Sequence, residues 1–152
     1  MNMRTLPPTD KRVQNNTNPE VNQAIREQTL CKLNELHGYK SMNNTVLNHC
    51  INELSKEWDT ERFLEANAAT IILISSILGL KKSKAFFFTG IISFFLLQHA
   101  LQGWCPPLPV IRKFGIRTAD EISNERMALK MMRGDFSEVP DTVEEMLEMI
   151  EK

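Results

Sequence analysis

Residues 66–80 carry no charged side chain, and residues 85–111 carry none unless His99 is protonated. Only Lys81-Lys82-Ser83-Lys84 separates the two stretches. Counted from their first apolar residues, the segments are FLEANAATIILISSILGL (63–80) and AFFFTGIISFFLLQHALQGWC (85–105). As helices they would measure about 27 and 31 Å at 1.5 Å per residue, close to the roughly 30 Å hydrocarbon core of a bilayer. A four-residue link permits only an antiparallel pair. A soluble amphipathic helix keeps one polar face, yet in the second segment Phe86, Phe87, Phe88, Ile91, Ile92, Phe94 and Phe95 point in every direction around the axis. Only Thr89, Gly90 and Ser93 interrupt it, residues small enough to let membrane helices approach closely. The pattern predicts an all-α chain built on a two-helix transmembrane hairpin over 59–105, its spans at 63–80 and 85–105, with helical N- and C-terminal cytoplasmic extensions.

The flanks are different in character. Residues 1–19 are polar, contain Pro7, Pro8 and Pro19, and show no apolar period, so they read as a disordered lead. They also lack the apolar core of a secretory signal. Residues 20–58 read as a helical N-terminal extension: a broken stripe through Val21, Ile25, Leu33 and Leu36 stops at Gly38, and a cleaner one runs through Val46, Leu47, Cys50, Ile51, Leu54 and Trp58. Asp59 or Thr60 can cap the first span, with Glu61 favourably placed in its first turn. Pro106, Pro107 and Pro109 stop the second span. In the tail, 106–152, Trp104 precedes Arg112, Lys113 and Arg117 at headgroup distance. Thr118-Ala-Asp-Glu121 fits a capping box that opens a helix over about 119–133, closed by Gly134. A short acidic helix is expected at about 142–151.

Charge narrows the function classes. Eighteen Lys and Arg stand against nineteen Asp and Glu, a net charge of −1, which does not suit a nucleic-acid binder. Near the spans, five basic residues (56, 62, 112, 113, 117) lie on the side of the termini and three in the loop. The positive-inside preference therefore favours cytoplasmic termini. Cys31, Cys50 and Cys105 are too few for a disulfide framework. Together with His37 and His49, Cys31 and Cys50 lack the paired spacing of zinc ligands. No glycine-rich phosphate loop, GxSxG or HExxH occurs, so no catalytic residue, metal or cofactor is assigned.

The candidate site is polar. Folding the hairpin about its loop pairs positions whose numbers sum to about 165, which sets Glu65 and Asn67 beside Gln98, His99 and Gln102 where both ends emerge. Gln98, Gln102 and Cys105 fall at i, i+4 and i+7. Polar groups at this depth are costly unless they meet one another. One reading is an interhelical hydrogen-bond clamp with Glu65 as acceptor. Another is a metal or thiol site made by Glu65, His99 and Cys105, with Arg112 and Lys113 favouring a Cys105 thiolate.

EWDTERFLEANAA (57–69), LLQHALQGWCPPLPVIRKFGIRT (96–118) and the run from Glu121 through Ala128-Leu129-Lys130 to Arg133-Gly134-Asp135-Phe136 resemble the YgaP-like inner-membrane family of unknown function. QGWCPP followed by RxFGxRT is the most specific part. The resemblance implies a bacterial inner-membrane protein with two spans, cytoplasmic termini and self-association, in a domain that also occurs with rhodaneses. It implies no active site; membrane-bound rhodaneses keep their catalytic cysteine in a separate α/β domain. The expectation is a non-enzymatic hairpin that sits in the lipid bilayer and binds a second copy or a membrane-protein partner. The contrasting one is sulfur or thiol handling by Cys105 and His99.

Overall fold

The computed structural model describes residues 8–38, 44–79, 84–137 and 145–146, and every regular element among them is helical. In chain order these are α1 (Arg12–Asn15), α2 (Pro19–Gly38), α3 (Asn44–Lys56), α4 (Thr60–Gly79), α5 (Ala85–Gln102), α6 (Leu108–Lys113) and α7 (Ala119–Arg133). The chain divides into two compact units, the first from residues up to Arg26 with Trp58–Asp120, the second from Glu27–Glu57 with the residues from Glu121 onward.

In the first unit, α4 and α5 lie alongside one another in opposite directions. Asp59 provides the N-cap of α4, its Oδ1 accepting the Arg62 N–H at 2.7 Å. Thr60 instead ties the start of α4 to later chain: its N–H donates to the Arg117 carbonyl at 2.8 Å, and its hydroxyl lies within bonding distance of the Ile116 and Arg117 carbonyls. Ser75 Oγ and Thr89 Oγ1 are hydrogen-bonded at 2.7 Å between the two helices. A turn further on, a methyl group at Gly79 would sit 2.9 Å from the Phe86 ring. These pairs sum to 164 and 165, the expected register. The small residues at the contact are not all those expected, because Gly90 and Ser93 are exposed and a methyl group at Gly90 would project into open space. Close approach is carried by Gly79 and by the Ser75–Thr89 bond.

The outer surfaces of both helices are oily. Leu73, Ile77, Phe87, Phe88 and Phe94 are all more than half exposed, Phe87 reaching 72%. One helical stretch among the described residues, ending at Gly79, is long and apolar enough to cross a membrane, and only 17% of its most apolar part is buried within the chain. A core helix of a soluble protein would be mostly covered. The second apolar helix, Phe86–Gln102, is shorter.

Where α4 begins and α5 ends, the polar chain folds back over the pair. Gly103 closes α5 in the left-handed conformation (φ 74°), its N–H donating to the His99 carbonyl at 2.7 Å. The backbone of α1 lies directly on this glycine, so that a methyl group there would be 2.6 Å from the Arg12 carbonyl. Asn16 Nδ2 donates to the Gln102 carbonyl at 2.8 Å, and Arg12 pairs with Glu61. Val13 is buried with Leu64, Cys105, Leu108 and Ile111. Residues 12–15 are thus helical and anchored within the stretch whose composition reads as a disordered lead; a four-residue turn with one buried side chain is too short to display an apolar period.

The prolines end α5 but also begin α6, with Pro107 at its N-cap and Pro109 in the first turn, where a missing N–H costs nothing. On α6, Arg112 is fully buried rather than at a headgroup. Its Nε donates to Thr17 Oγ1 at 3.3 Å, Nη1 to the Ile116 carbonyl at 2.9 Å, and Nη2 to Asn22 Oδ1 at 3.0 Å. A planar fork of fixed donors suits such a three-way junction.

The second unit holds the later part of α2, α3 and most of α7. Leu47, Ile51 and Leu54, at i, i+4 and i+7, bury one face of α3 against Ile122 and Leu129, with Leu33 and Leu36 at the edge. Each such side chain contributes about 1.5–3 kcal/mol when fully covered. Lys32 Nζ lies 2.7 Å from Oε1 of Glu125, whose side chain is wholly buried. Gly134 (φ 89°) ends α7, and Arg133 there joins Asn48 of α3 to Asp135. Of the acidic helix expected at 142–151, all but residues 145–146 lie outside the described residues.

Two outcomes follow from these contacts. Gly103→Ala forces a side chain into left-handed backbone at about 1–2 kcal/mol and pushes α1 away. Thermal unfolding of the full chain in detergent should move down by several degrees, and trypsin should cut near Arg12 faster. The Arg133 hydrogen bond holds the Asp135 carboxyl below the usual aspartate range, outweighing the opposing effect of burial. A carboxyl depressed in the folded state stabilises above its unfolded pKa of about 3.9 and loses that contribution as pH falls through its folded value. The Tm gap between wild type and Asp135→Asn should therefore be steady from neutral pH to mild acid and close below about pH 3.9.

Candidate functional site

Within the first unit, α4, α5 and the α6 segment enclose a partly open cavity of about 360 Å³. Helical periodicity decides which residues reach it. On α4, Leu64, Asn67, Ala68 and Ile71 recur at i, i+3, i+4 and i+7; on α5, Ile92, Phe95, Leu96 and His99 do the same. Cys105, Pro107 and Ile111 close the end nearest the polar chain. The lining is almost wholly apolar.

Six residues were expected to form one polar cluster, and the structure divides them. Asn67, His99 and Cys105 line the cavity. Glu65 is exposed on α4, one position off the lining face, and makes no hydrogen bond to Gln98, His99 or Gln102. Gln98 and Gln102 lie together on the face next to that of His99; Gln102 is exposed and meets Asn16, just after α1, through its carbonyl. The clamp with Glu65 as acceptor is therefore not formed in this arrangement. Summing residue numbers matched the levels of the two helices but not their rotation about their own axes.

His99 is the unusual member. It is only 5% exposed, and neither ring nitrogen meets a hydrogen-bond partner among the described residues. A neutral imidazole carries one N–H donor and one bare acceptor, and leaving either unmet in an apolar setting costs about 1–3 kcal/mol. Asn67 is satisfied locally, its Nδ2 donating to the Phe63 carbonyl at 2.7 Å. Cys105 is buried at 3% exposure, while the guanidinium of Arg112, expected to activate it, is engaged by Thr17, Asn22 and Ile116. Among the described residues no three His, Cys, Asp or Glu side chains converge as metal ligands do, and Glu65 does not join His99 and Cys105. Sequence periodicity alone contained the signal that His99 shares a face with Ile92, Phe95 and Leu96; the glutamines beside it drew attention to the neighbouring face.

Outside the cavity, Arg112 and Gly103 escaped notice as organising residues. The RxFGxRT motif carries the first, and the αL requirement of a glycine just past a helix end marks the second. Trp58 and Trp104 both lie at this end of α4 and α5, and the Arg62 guanidinium stacks 4.8 Å from the centre of the Trp58 ring.

Residues 59–121 match the family described as "Inner membrane protein YgaP-like, transmembrane domain". The match covers less than half of the chain and falls almost entirely in the first unit, over α4, α5 and α6. It supports a membrane protein in a bacterial inner membrane and names no reaction or partner. No curated protein and no solved structure matches the chain.

Substitutions separate the expected clamp from the observed contacts. Glu65→Ala should leave the melting temperature in detergent unchanged, within about 0.5 kcal/mol. Ser75→Ala removes the bond to Thr89 and should cost about 0.6 kcal/mol, the typical worth of an interhelical hydrogen bond in a membrane protein.

Proposed function

We propose that α4 and α5 form a two-helix transmembrane hairpin whose ends and flanking helices lie on the cytoplasmic side. The protein on this reading is non-enzymatic, associating with itself or with a membrane-protein partner through its cytoplasmic arms. The observation that carries the reading is the uncovered apolar circumference of both helices, 17% buried over the most apolar stretch of the first. Water strongly disfavours such a surface and hydrocarbon accommodates it. The helices, 20 and 18 residues long, measure about 30 and 27 Å. Trp58 and Trp104 sit at the level of an aromatic belt, and the margin of basic residues on the terminal side supports cytoplasmic termini.

A second reading, thiol or sulfur handling linked to rhodanese, gains support from one observation: His99 and Cys105 line the same cavity. Against it stand the burial of Cys105 and the engagement of Arg112 elsewhere.

One labelling experiment addresses both. The chain should stay with membranes through a carbonate wash. Exposed Cys31 should resist an impermeant maleimide in intact spheroplasts and react after lysis; labelling before lysis would reverse the orientation. In a Cys31→Ser, Cys50→Ser background, Cys105 should alkylate more slowly than Cys31 does in the wild type. Faster reaction would favour the sulfur reading.

A further inference from the structure

We propose that the cavity between α4, α5 and α6 binds a lipid alcohol, with the hydroxyl on His99 and the hydrocarbon limb lying between α4 and α5. Its 360 Å³ falls within the roughly 300–1,000 Å³ of small-molecule sites. It is more than twice the apolar cavity of about 150 Å³ that stays dry and takes up benzene. From Phe63 to Ile71 the lining extends eight helical steps, about 12 Å along the axis, so the space is elongated parallel to the helices.

Its polarity is graded in the same direction. His99, Asn67 and Cys105 stand toward the end where α1 and α6 cross, while Ile71 and Ile92 stand at the far end. With α4 and α5 inserted as a hairpin, this sets the one hydrogen-bonding spot near the interface and the apolar end toward the bilayer centre. An amphiphile in a membrane has that orientation already. The inference rests on the hairpin reading for this alignment; the cavity and the orphaned histidine do not depend on it.

The head is identified by what His99 requires. Both ring nitrogens are buried and unpartnered among the described residues, one a donor and one an acceptor in the neutral ring. A hydroxyl can serve either, since it both donates and accepts. A charged head is disfavoured, because the lining supplies no countercharge to offset its desolvation. A bound water needs two to four polar partners, and few are present. The hydrocarbon limb meets the Ile71, Ile92, Phe95 and Leu96 side chains.

The test uses the full chain in nanodiscs, with labelled histidine and labelled isoleucine methyls, titrated with 1-decanol, decane and decanoate. The three histidines, at 37, 49 and 99, give a simple imidazole spectrum. Decanol should shift the His99 ring nitrogens saturably, leave His37 and His49 in place, and move the methyls of Ile71 and Ile92. His99→Leu should weaken decanol binding about fivefold, the loss of one net hydrogen bond, as read from those methyls. Equal binding of decane and decanol, preference for decanoate, or shifts that never saturate would each overturn the proposal. A chain that never enters nanodiscs and disperses in buffer would instead overturn the hairpin reading.

Discussion

The apolar outer surfaces of α4 and α5 set the terms for everything else: Leu73, Ile77, Phe87, Phe88 and Phe94 stand open on the surface, and the helical stretch ending at Gly79 is long and apolar enough to cross a membrane. Water cannot accept a continuous coat of that kind, because monomeric soluble proteins rarely expose apolar patches beyond a few hundred Å². Inside a bilayer the same coat is matched to the solvent, and what then holds the helices together is no longer apolar burial. It must be close packing and polar contact. Gly79 under the Phe86 ring and the Ser75–Thr89 bond provide both.

Apart from the Ser75–Thr89 bond, the long-range polar contacts described in the first unit are gathered at one end of that pair. Arg112 sits at the centre, buried, and its three nitrogens engage the segment before α2, the first turns of α2 and the loop after α6. A charge withdrawn from water is tolerated only when every donor is met, and removing its partners would leave it uncompensated. Thr60, Asn16 and Gly103 complete the junction by bonding or yielding to backbone. This junction fixes where α6 crosses the ends of α4 and α5, and so closes the cavity in which His99 lies. The matched family segment, 59–121, contains Arg112 and Gly103 but not the α1 and α2 residues they meet.

Much of the architecture was legible because its causes are local. Uninterrupted apolar composition, the Asp59 cap and the proline stop all act within a few residues. The register of α4 against α5 also followed from the length of the link. The identity of the contacts did not, since it depends on the rotation of each helix about its own axis. One position, 100° of rotation, separates exposed Glu65 from buried Leu64 and the Gln98 face from that of His99. Long-range anchoring escaped for a related reason: Val13 and Arg12 belong to a polar segment with no period, and only their partners far along the chain make them ordered.

The amino-acid sequence by itself determined that this chain is helical and where its two apolar stretches lie, because hydropathy and helical reach are sums over neighbouring residues. Only the tertiary structure decided that Arg112 is an internal junction rather than a headgroup contact, that Glu65 stands apart, and that His99 and Cys105 share a cavity. Those outcomes turn on which faces meet and on what crosses the helix ends, and such pairings across many tens of residues leave no trace in local composition.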